Sequence, residues 1–249
     1  MTKRISLILT ASICLAPFAA ADDGWTGEGS FSAGYTTGNT ETTDLGLAVK
    51  LNRDVGIWTY TGEAAADYGE TESIETKNRF FLAGEVDRQL GDKLFGFGRT
   101  SYEQDEFSGF DSRFFAGVGL GYPLIETEQT NWSVQGGPGI KIDEVRDRFV
   151  DVNGVPTLVP GSTEQSFSVI ASSDFSHKFN EAVSLTNSTN AIYAQESTQL
   201  GNVIALTAAL TDTFSARFSF DVRHDTNPPE GFEATDTVTR ASIVYAFGN

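Results

Sequence analysis

Asp236-Thr237-Val238-Thr239-Arg240-Ala241-Ser242-Ile243-Val244-Tyr245-Ala246-Phe247-Gly248-Asn249 closes the chain, and its reading decides the fold. Thr237, Thr239, Ala241, Ile243, Tyr245 and Phe247 share one parity, while Asp236, Arg240 and Ser242 take the other. Side chains of a β-strand point alternately to its two faces, so this stretch is an extended segment with one face suited to lipid and one to water. A strand of a soluble sheet alternates in the same way. The decision therefore rests on whether the rest of the chain obeys the same grammar.

It does, working outward from the end. Trp25, Gly27, Gly29, Phe31, Ala33 and Tyr35 oppose Thr26, Glu28, Ser30 and Ser32 up to the turn Thr37-Gly38-Asn39. Leu45, Leu47, Val49 and Leu51 then oppose Asp44 and Lys50, and Trp58, Tyr60, Gly62, Ala64, Ala66 and Tyr68 oppose Glu63 and Asp67. After a polar loop from Gly69 to Thr76, Phe80, Leu82 and Val86 alternate with Arg79, Glu85 and Asp87. Further strands are predicted near Leu94–Glu103, Arg113–Tyr122, Asn131–Lys141, Gln165–His177, Ala182–Tyr193, Val203–Leu210, Phe214–Arg223 and Asp236–Phe247. Ala182–Tyr193 and Val203–Leu210 are the two whose parity does not separate polar from apolar. About twelve strands of membrane-crossing length, joined alternately by short turns and longer loops, predict an all-β fold: a transmembrane antiparallel up-and-down β-barrel.

Residues 1–21 carry Lys3 and Arg4, an apolar run from Ile5 to Phe18, and Ala19-Ala20-Ala21, the pattern of a secretory signal peptide. The barrel domain is then residues 22–249, delivered to the bacterial outer membrane. Loss of the signal removes Cys14, the single cysteine, and moves the formal charge from -17 to -19. Such an acidic chain repels nucleic acid. No later run reaches the roughly 18 apolar residues that a membrane helix needs.

The charged residues of the strands sort to one side. Glu28, Asp44, Glu63, Asp67, Glu85, Asp87, Glu103, Asp174 and Asp221 oppose the aliphatic face, and so do Lys50, Arg79, Arg99, Arg113, Lys141, Arg217, Arg223 and Arg240. In a barrel these line the lumen, either as a salt-bridge lattice that stiffens it or as an ion pathway. Twelve strands lie between the filled eight-stranded barrels and the open sixteen-stranded porins.

The middle of the chain adds a family resemblance. Tyr102-Glu103-Gln104-Asp105-Glu106-Phe107-Ser108-Gly109-Phe110-Asp111-Ser112-Arg113, followed by Gly117-Val118-Gly119-Leu120-Gly121-Tyr122, resembles the core motif of the salt-induced outer-membrane protein family, domain of unknown function 481. Trp25 to Asn39, Gly136-Gly137-Pro138-Gly139 and the closing strand resemble it as well. The resemblance implies an outer-membrane barrel with no established reaction, and it carries over no catalytic residues. The closing strand is also similar to the C-terminal signal that the barrel-assembly machinery recognises, which would fall on Ile243, Tyr245 and Phe247; Gly248 and Asn249 follow the aromatic here.

Catalytic and cofactor chemistry finds little material. His177 and His224 are the only histidines, and both share the parity of the lipid-facing residues, which predicts rim positions. His224-Asp225 is similar to the His-Asp pair of omptin proteases, but the only Asp-Asp pair is Asp22-Asp23. Gly117-x-Gly119-x-Gly121 precedes no helix, so it is wall glycine rather than a dinucleotide loop. Asn153-Gly154 reads as a hairpin tip above the membrane. Acid clusters at Glu70, Glu72 and Glu75, and at Glu103, Asp105, Glu106 and Asp111, are candidates for divalent cations or for plain solvated loops. The expectation is a non-enzymatic barrel with no cofactor, in contact with outer-membrane lipid, with a structural, envelope-stress or small cation-favouring pore role. The alternatives are an outer-membrane hydrolase with a rim site at His224 and Asp225, and a secreted soluble barrel that carries an apolar ligand.

Overall fold

A computed structural model describes residues 24–36, 42–152 and 155–248. The predicted signal peptide, Asp22-Asp23, the Thr37-Gly38-Asn39 turn and the Asn153-Gly154 tip lie outside the described residues. Twelve strands form a closed antiparallel barrel: β1 (Trp25–Thr36), β2 (Thr42–Val55), β3 (Trp58–Thr71), β4 (Ile74–Gln89), β5 (Phe95–Asp105), β6 (Phe110–Glu126), β7 (Thr130–Val145), β10 (Ser162–Lys178), β11 (Val183–Ala194), β12 (Thr198–Ala209), β13 (Phe214–Asp225) and β14 (Thr235–Phe247). The connection from β7 to β10 carries a separate hairpin, β8 (Arg148–Val152) with β9 (Val155–Val159), where the sequence predicts a projecting tip.

Each barrel strand pairs with the next barrel strand along the chain, β7 with β10 across the β8–β9 hairpin, and β14 returns to pair with β1 from Gly27↔Phe247 to Ser32↔Ser242. Closure pairs the two end strands with each other along those six residues, the condition for a sheet in hydrocarbon. The short turns after β2, β4, β6, β10 and β12 share one end of the barrel with both ends of the sheet. In an outer-membrane barrel that end is periplasmic and the longer loops face outward.

The outer wall is a continuous apolar band. Phe31, Leu47, Leu82, Val118, Phe167, Phe218 and Ile243 are all exposed, an arrangement that only lipid makes favourable. Trp58, Tyr60, Trp132, Phe214 and Tyr245 ring it near the periplasmic end, and Tyr68, Tyr102 and Tyr193 near the outer end. These are the interfacial girdles of a membrane barrel.

One expectation is corrected. The polar stretch Gly69–Thr76 is not a loop: β3 runs to Thr71, β4 starts at Ile74, and only Glu72 and Ser73 turn the chain. Both have positive φ, 51° and 64°, the backbone of a tight type I′ hairpin, although neither is Gly or Asn. The pairing continues above the membrane, where both faces meet water. Hydrophobic alternation stops there while the hydrogen-bond ladder does not.

Inside the barrel, Phe97, Phe115, Ile170 and Ile192 form a buried apolar cluster with Phe95 packed against it. The glycines of β6 make room for it. A Cβ on Gly119 would sit 2.6 Å from the Phe97 ring and would also strike the Gly136 carbonyl, and one on Gly121 would overlap the Phe95 ring. The motif that reads as wall glycine is thus the socket for inward-pointing rings. Gly119→Val is expected to abolish folding or to cost stability by overpacking, about 1–3 kcal/mol. Loss or early onset of the heat-dependent gel shift of the refolded chain would report it; an unchanged shift would show that the rings do not need this space.

Candidate functional site in the lumen

The lumen is built first from pairs that face each other on adjacent strands. Lys50 on β2 is opposite Glu63 on β3 and bridges it at 3.0 Å; Glu85 on β4 is opposite Arg99 on β5 and pairs at 3.3 Å. Asp67 on β3 is opposite Arg79 on β4 at 3.4 Å. Directly opposed side chains on one face of an antiparallel pair are near enough for such contacts without help from the rest of the fold.

Toward the outer end these pairs join into a closed cycle. Asp67 accepts from Arg79 and from Arg240 at 2.9 Å, Arg79 also donates to Glu103, Glu103 faces Arg223 at 3.9 Å, Arg223 donates to Asp221 at 2.8 Å, and Arg240 returns to Asp221 at 3.7 Å. Three acids and three arginines alternate, so each charge has two opposite neighbours. The cycle is not confined to one wall. β5 and β13 stand six places apart in the ring of twelve strands, so the Glu103–Arg223 contact spans the lumen between opposite walls. Arg113 on β6 also crosses, donating to Asp225 on β13 at 2.7 Å. Lower down, Arg217 on β13 grips Glu28 on β1 with two bonds of 2.7 Å, past the intervening β14. Such two-point guanidinium–carboxylate contacts fix direction as well as charge.

Above the cycle a loop crosses the outer mouth. The connection from β13 to β14 reaches the β5–β6 turn on the opposite side of the ring. Phe232 and Pro229 lie against Gly109, where an added Cβ would be 2.7 Å from the Phe232 ring and 2.9 Å from Pro229. The Phe232 N–H donates to the Pro229 carbonyl at 3.1 Å, and Thr226 ties the connection to Thr198 through two hydrogen bonds of 2.7 and 3.0 Å.

Two cavities remain, one above the other. The outer one, about 540 Å³, is lined by the ion cycle, Arg113, Lys141, Asp143, Phe232 and Glu233. The periplasmic-side one, about 930 Å³, is lined by Glu28, Glu63, Glu85, Glu126 and Asp174 against Lys50, Arg99 and Arg217. Arg99, Thr186, Ser188, Val203 and Arg217 line both, so they stand at the level where the two meet.

Of the charged strand residues, Glu28, Lys50, Glu63, Asp67, Arg79, Glu85, Arg99, Glu103, Arg113, Lys141, Asp174, Arg217, Asp221, Arg223 and Arg240 line one or both cavities. Asp44 and Asp87 line neither. Asp44 pairs with Lys77 at 2.7 Å toward the outer rim, and Asp87, opposite Phe97, has one carboxylate oxygen buried without a hydrogen-bond partner. Strand parity did not single out Asp143, which is buried and bridges Lys141 at 2.9 Å, or Ser197, which accepts from Lys141 at 2.6 Å. Asp143 shares parity with Lys141, and that parity was the available signal; Ser197 sits in a turn and gave none.

The other candidates are dispersed. His177 bonds Thr130 at 2.8 Å beside the periplasmic turns, and His224 bonds Thr235 at 2.8 Å at the outer end. Asp225 is held by Arg113 instead of by His224, so the two do not form an acid–base couple. In the acid clusters, Glu70 accepts from Tyr68, Asp111 from Arg146, and Asp105 from the Phe107 N–H. Among the described residues no group of three or more His, Cys, Asp or Glu is arranged to hold a metal.

Replacing Arg240 with Met removes the cation shared by Asp67 and Asp221, both nearly buried, and leaves each acid with one arginine. Breaking a fully buried pair costs about 3–5 kcal/mol, and the partly exposed guanidinium places this change nearer about 2 kcal/mol. The expected result is a lower temperature for the heat-dependent gel shift with the folded band retained. An unchanged temperature would mean that the cycle contributes nothing to stability.

The comparisons with known proteins agree with this architecture. The chain is 24% identical over 224 residues to the uncharacterized protein YdiY of Escherichia coli strain K12, covering 88% of this chain and 82% of that protein. In three dimensions it resembles the translocator domain of the autotransporter NalP from Neisseria meningitidis, with a TM-score of 0.51 at 10% identity, covering 90% and 87% of the two chains. It also resembles the COG4313 outer membrane channel from Pseudomonas putida F1, with a TM-score of 0.51 at 10% identity over 90% and 95%, and the NanC porin, with 0.50 at 13% over 90% and 98%. At these identities the likeness is one of fold, and the fold is that of outer-membrane β-barrels. Residues 29–247 match the family described as protein of unknown function, DUF481, and the chain, a twelve-stranded outer-membrane barrel, belongs to that family.

Proposed function

We propose that this chain, freed of its N-terminal leader, is a non-enzymatic outer-membrane pore for small cations, in which the ion lattice serves both to stiffen the barrel and to narrow it. The observation that carries the reading is the periplasmic-side cavity, where five carboxylates meet three cationic side chains. A water-filled space with low-dielectric walls and surplus negative charge concentrates cations and repels anions. The cross-lumen contacts at Glu103–Arg223 and Arg113–Asp225 and the loop across the outer mouth narrow the path, which favours ions over bulky solutes. A barrel so braced also suits a structural role in a stressed envelope. Delivery to the membrane would use the closing strand, whose Ile243 and Tyr245 are exposed on the lipid face for the assembly machinery to read.

The test is the reversal potential of the refolded chain in a planar bilayer under a potassium chloride gradient. Wild type is expected to favour the cation. Neutralising Glu63 and Glu85 together, as Glu63→Gln and Glu85→Gln, should move the reversal potential toward zero while the folded gel band persists. An anion-favouring potential, or a cation preference indifferent to both substitutions, would overturn the pore reading, and stable insertion without conductance would leave the bracing role alone.

A further inference from the structure

The lipid-facing wall is largely apolar, and the carboxamides at its mid-height lie together on β11 and β12. On β11, Leu185, Asn187, Thr189, Ala191 and Tyr193 share the outward parity; on β12, Leu200, Asn202, Ile204 and Leu206 do. The register places Thr189 opposite Asn202 on one side and Ser173 of β10 on the other, and Asn187 opposite Ile204 and Phe175. Two carboxamides and two hydroxyls therefore sit together on the lipid face. They lie midway between Leu185 near the periplasmic turns and Tyr193 near the outer end, where the hydrocarbon is driest. The placement also explains why these two strands show no clean parity: polar residues occupy both faces.

The group is partly knitted together. Asn187 donates to Asn202 at 3.2 Å, and Asn202 donates back to Asn187 at 3.3 Å and to Thr189 at 2.7 Å. Trp132 donates its indole N–H to Ser173 at 2.9 Å. Hydrogen-bonding capacity is left over on both sides: among the described contacts the Ser173 hydroxyl gives its proton to no acceptor, and the Asn202 carbonyl oxygen accepts one bond of the two it can take. Lipid tails satisfy neither. The neighbours on the same face, Ala171 and Ala191, are small, so another sheet could approach closely here.

We propose that this face of β10–β12 is a dimer interface, and that its occupant is a second copy of this chain. A two-fold contact sets one patch against itself and so requires a surface that offers donors and acceptors together and no net charge. Asn187, Asn202, Thr189 and Ser173 meet both conditions. An acidic or basic partner would call for charge, and the outward parity of these strands carries none between Leu185 and Tyr193. Burial against a second barrel removes the amides from hydrocarbon and lets the unused donor and acceptor bond across the axis.

The test uses the full-length chain with Cys14→Ser, purified folded and placed in lipid nanodiscs or liposomes. Ala191→Cys puts a thiol on the proposed face without touching the amide group; Leu47→Cys puts one on β2, on a distant part of the wall. Mild oxidation is expected to give a covalent dimer at least ten times more readily from Ala191→Cys than from Leu47→Cys. Light scattering in detergent should give twice the protomer mass for wild type and the single protomer mass for Asn187→Leu with Asn202→Leu. The heat-dependent gel shift shows that the double variant is folded, and the cross-linking readout stands even if it is not. Protomer mass for wild type at every concentration, or equal cross-linking from the two thiols, would overturn the proposal.

Discussion

Hydrocarbon offers no hydrogen bonds, so a chain that crosses it as strands must pair every backbone group with itself. The structure depends on that requirement, and closure of β1 on β14 is where it is met. The seam is short and is packed by its own residues. A Cβ on Gly27 would fall 2.6 Å from the Phe247 ring, so the terminal aromatic covers a glycine on the first strand and fills the space that its missing side chain leaves. Rings placed over strand glycines in this way pin register where a slip by one residue would turn each lipid-facing side chain inward.

Once the sheet is closed, alternation sends half of the side chains into a space wider than that of the filled eight-stranded barrels and narrower than that of the open sixteen-stranded porins. Two solutions share it. Along β5, β6, β10 and β11 the filler is apolar, with Phe97, Phe115, Ile170 and Ile192 seated against backbone that glycines leave bare. Across β3, β4, β5, β13 and β14 it is ionic, with each carboxylate of the cycle held by two arginines. In a medium of lowered dielectric such charges are costly alone and tolerable only when mutually compensated, which favours a closed cycle over isolated pairs. The bracing and the narrowing of the lumen are therefore one arrangement seen from two sides.

Much of the architecture was legible because the physics that produces it is local. Parity at Phe31, Leu47, Leu82 and Ile243 marked the lipid face, while the expected contrast of short turns and longer loops holds only in part, since the outer-end connections at 72–73, 106–109 and 195–197 are as short as those at the periplasmic end. Adjacent pairs such as Lys50–Glu63 follow from parity and a turn. Partners across the lumen did not, because Glu28 and Arg217, or Asp67 and Arg240, meet only after the ring has closed over 189 and 173 residues of chain. The Glu72-Ser73 turn was hidden for a different reason: above the membrane both faces of a hairpin meet water, and the hydrophobic signal vanishes while pairing persists. On β11 and β12 the ambiguity was informative, since Asn187 and Asn202 place polar groups where lipid should be.

The cross-lumen lattice is the central claim, and unitary conductance in a planar bilayer tests it most directly, with wild type set against Arg223→Ala in the same lipid and salt. Arg223, held by Asp221 on its own strand, joins opposite walls through Glu103, so its removal should widen the lumen at the height of the ion cycle. The expected result is small steps for wild type that grow at least twofold in the variant. Large steps from wild type, unchanged by Arg223→Ala, would contradict a lumen spanned by ion pairs.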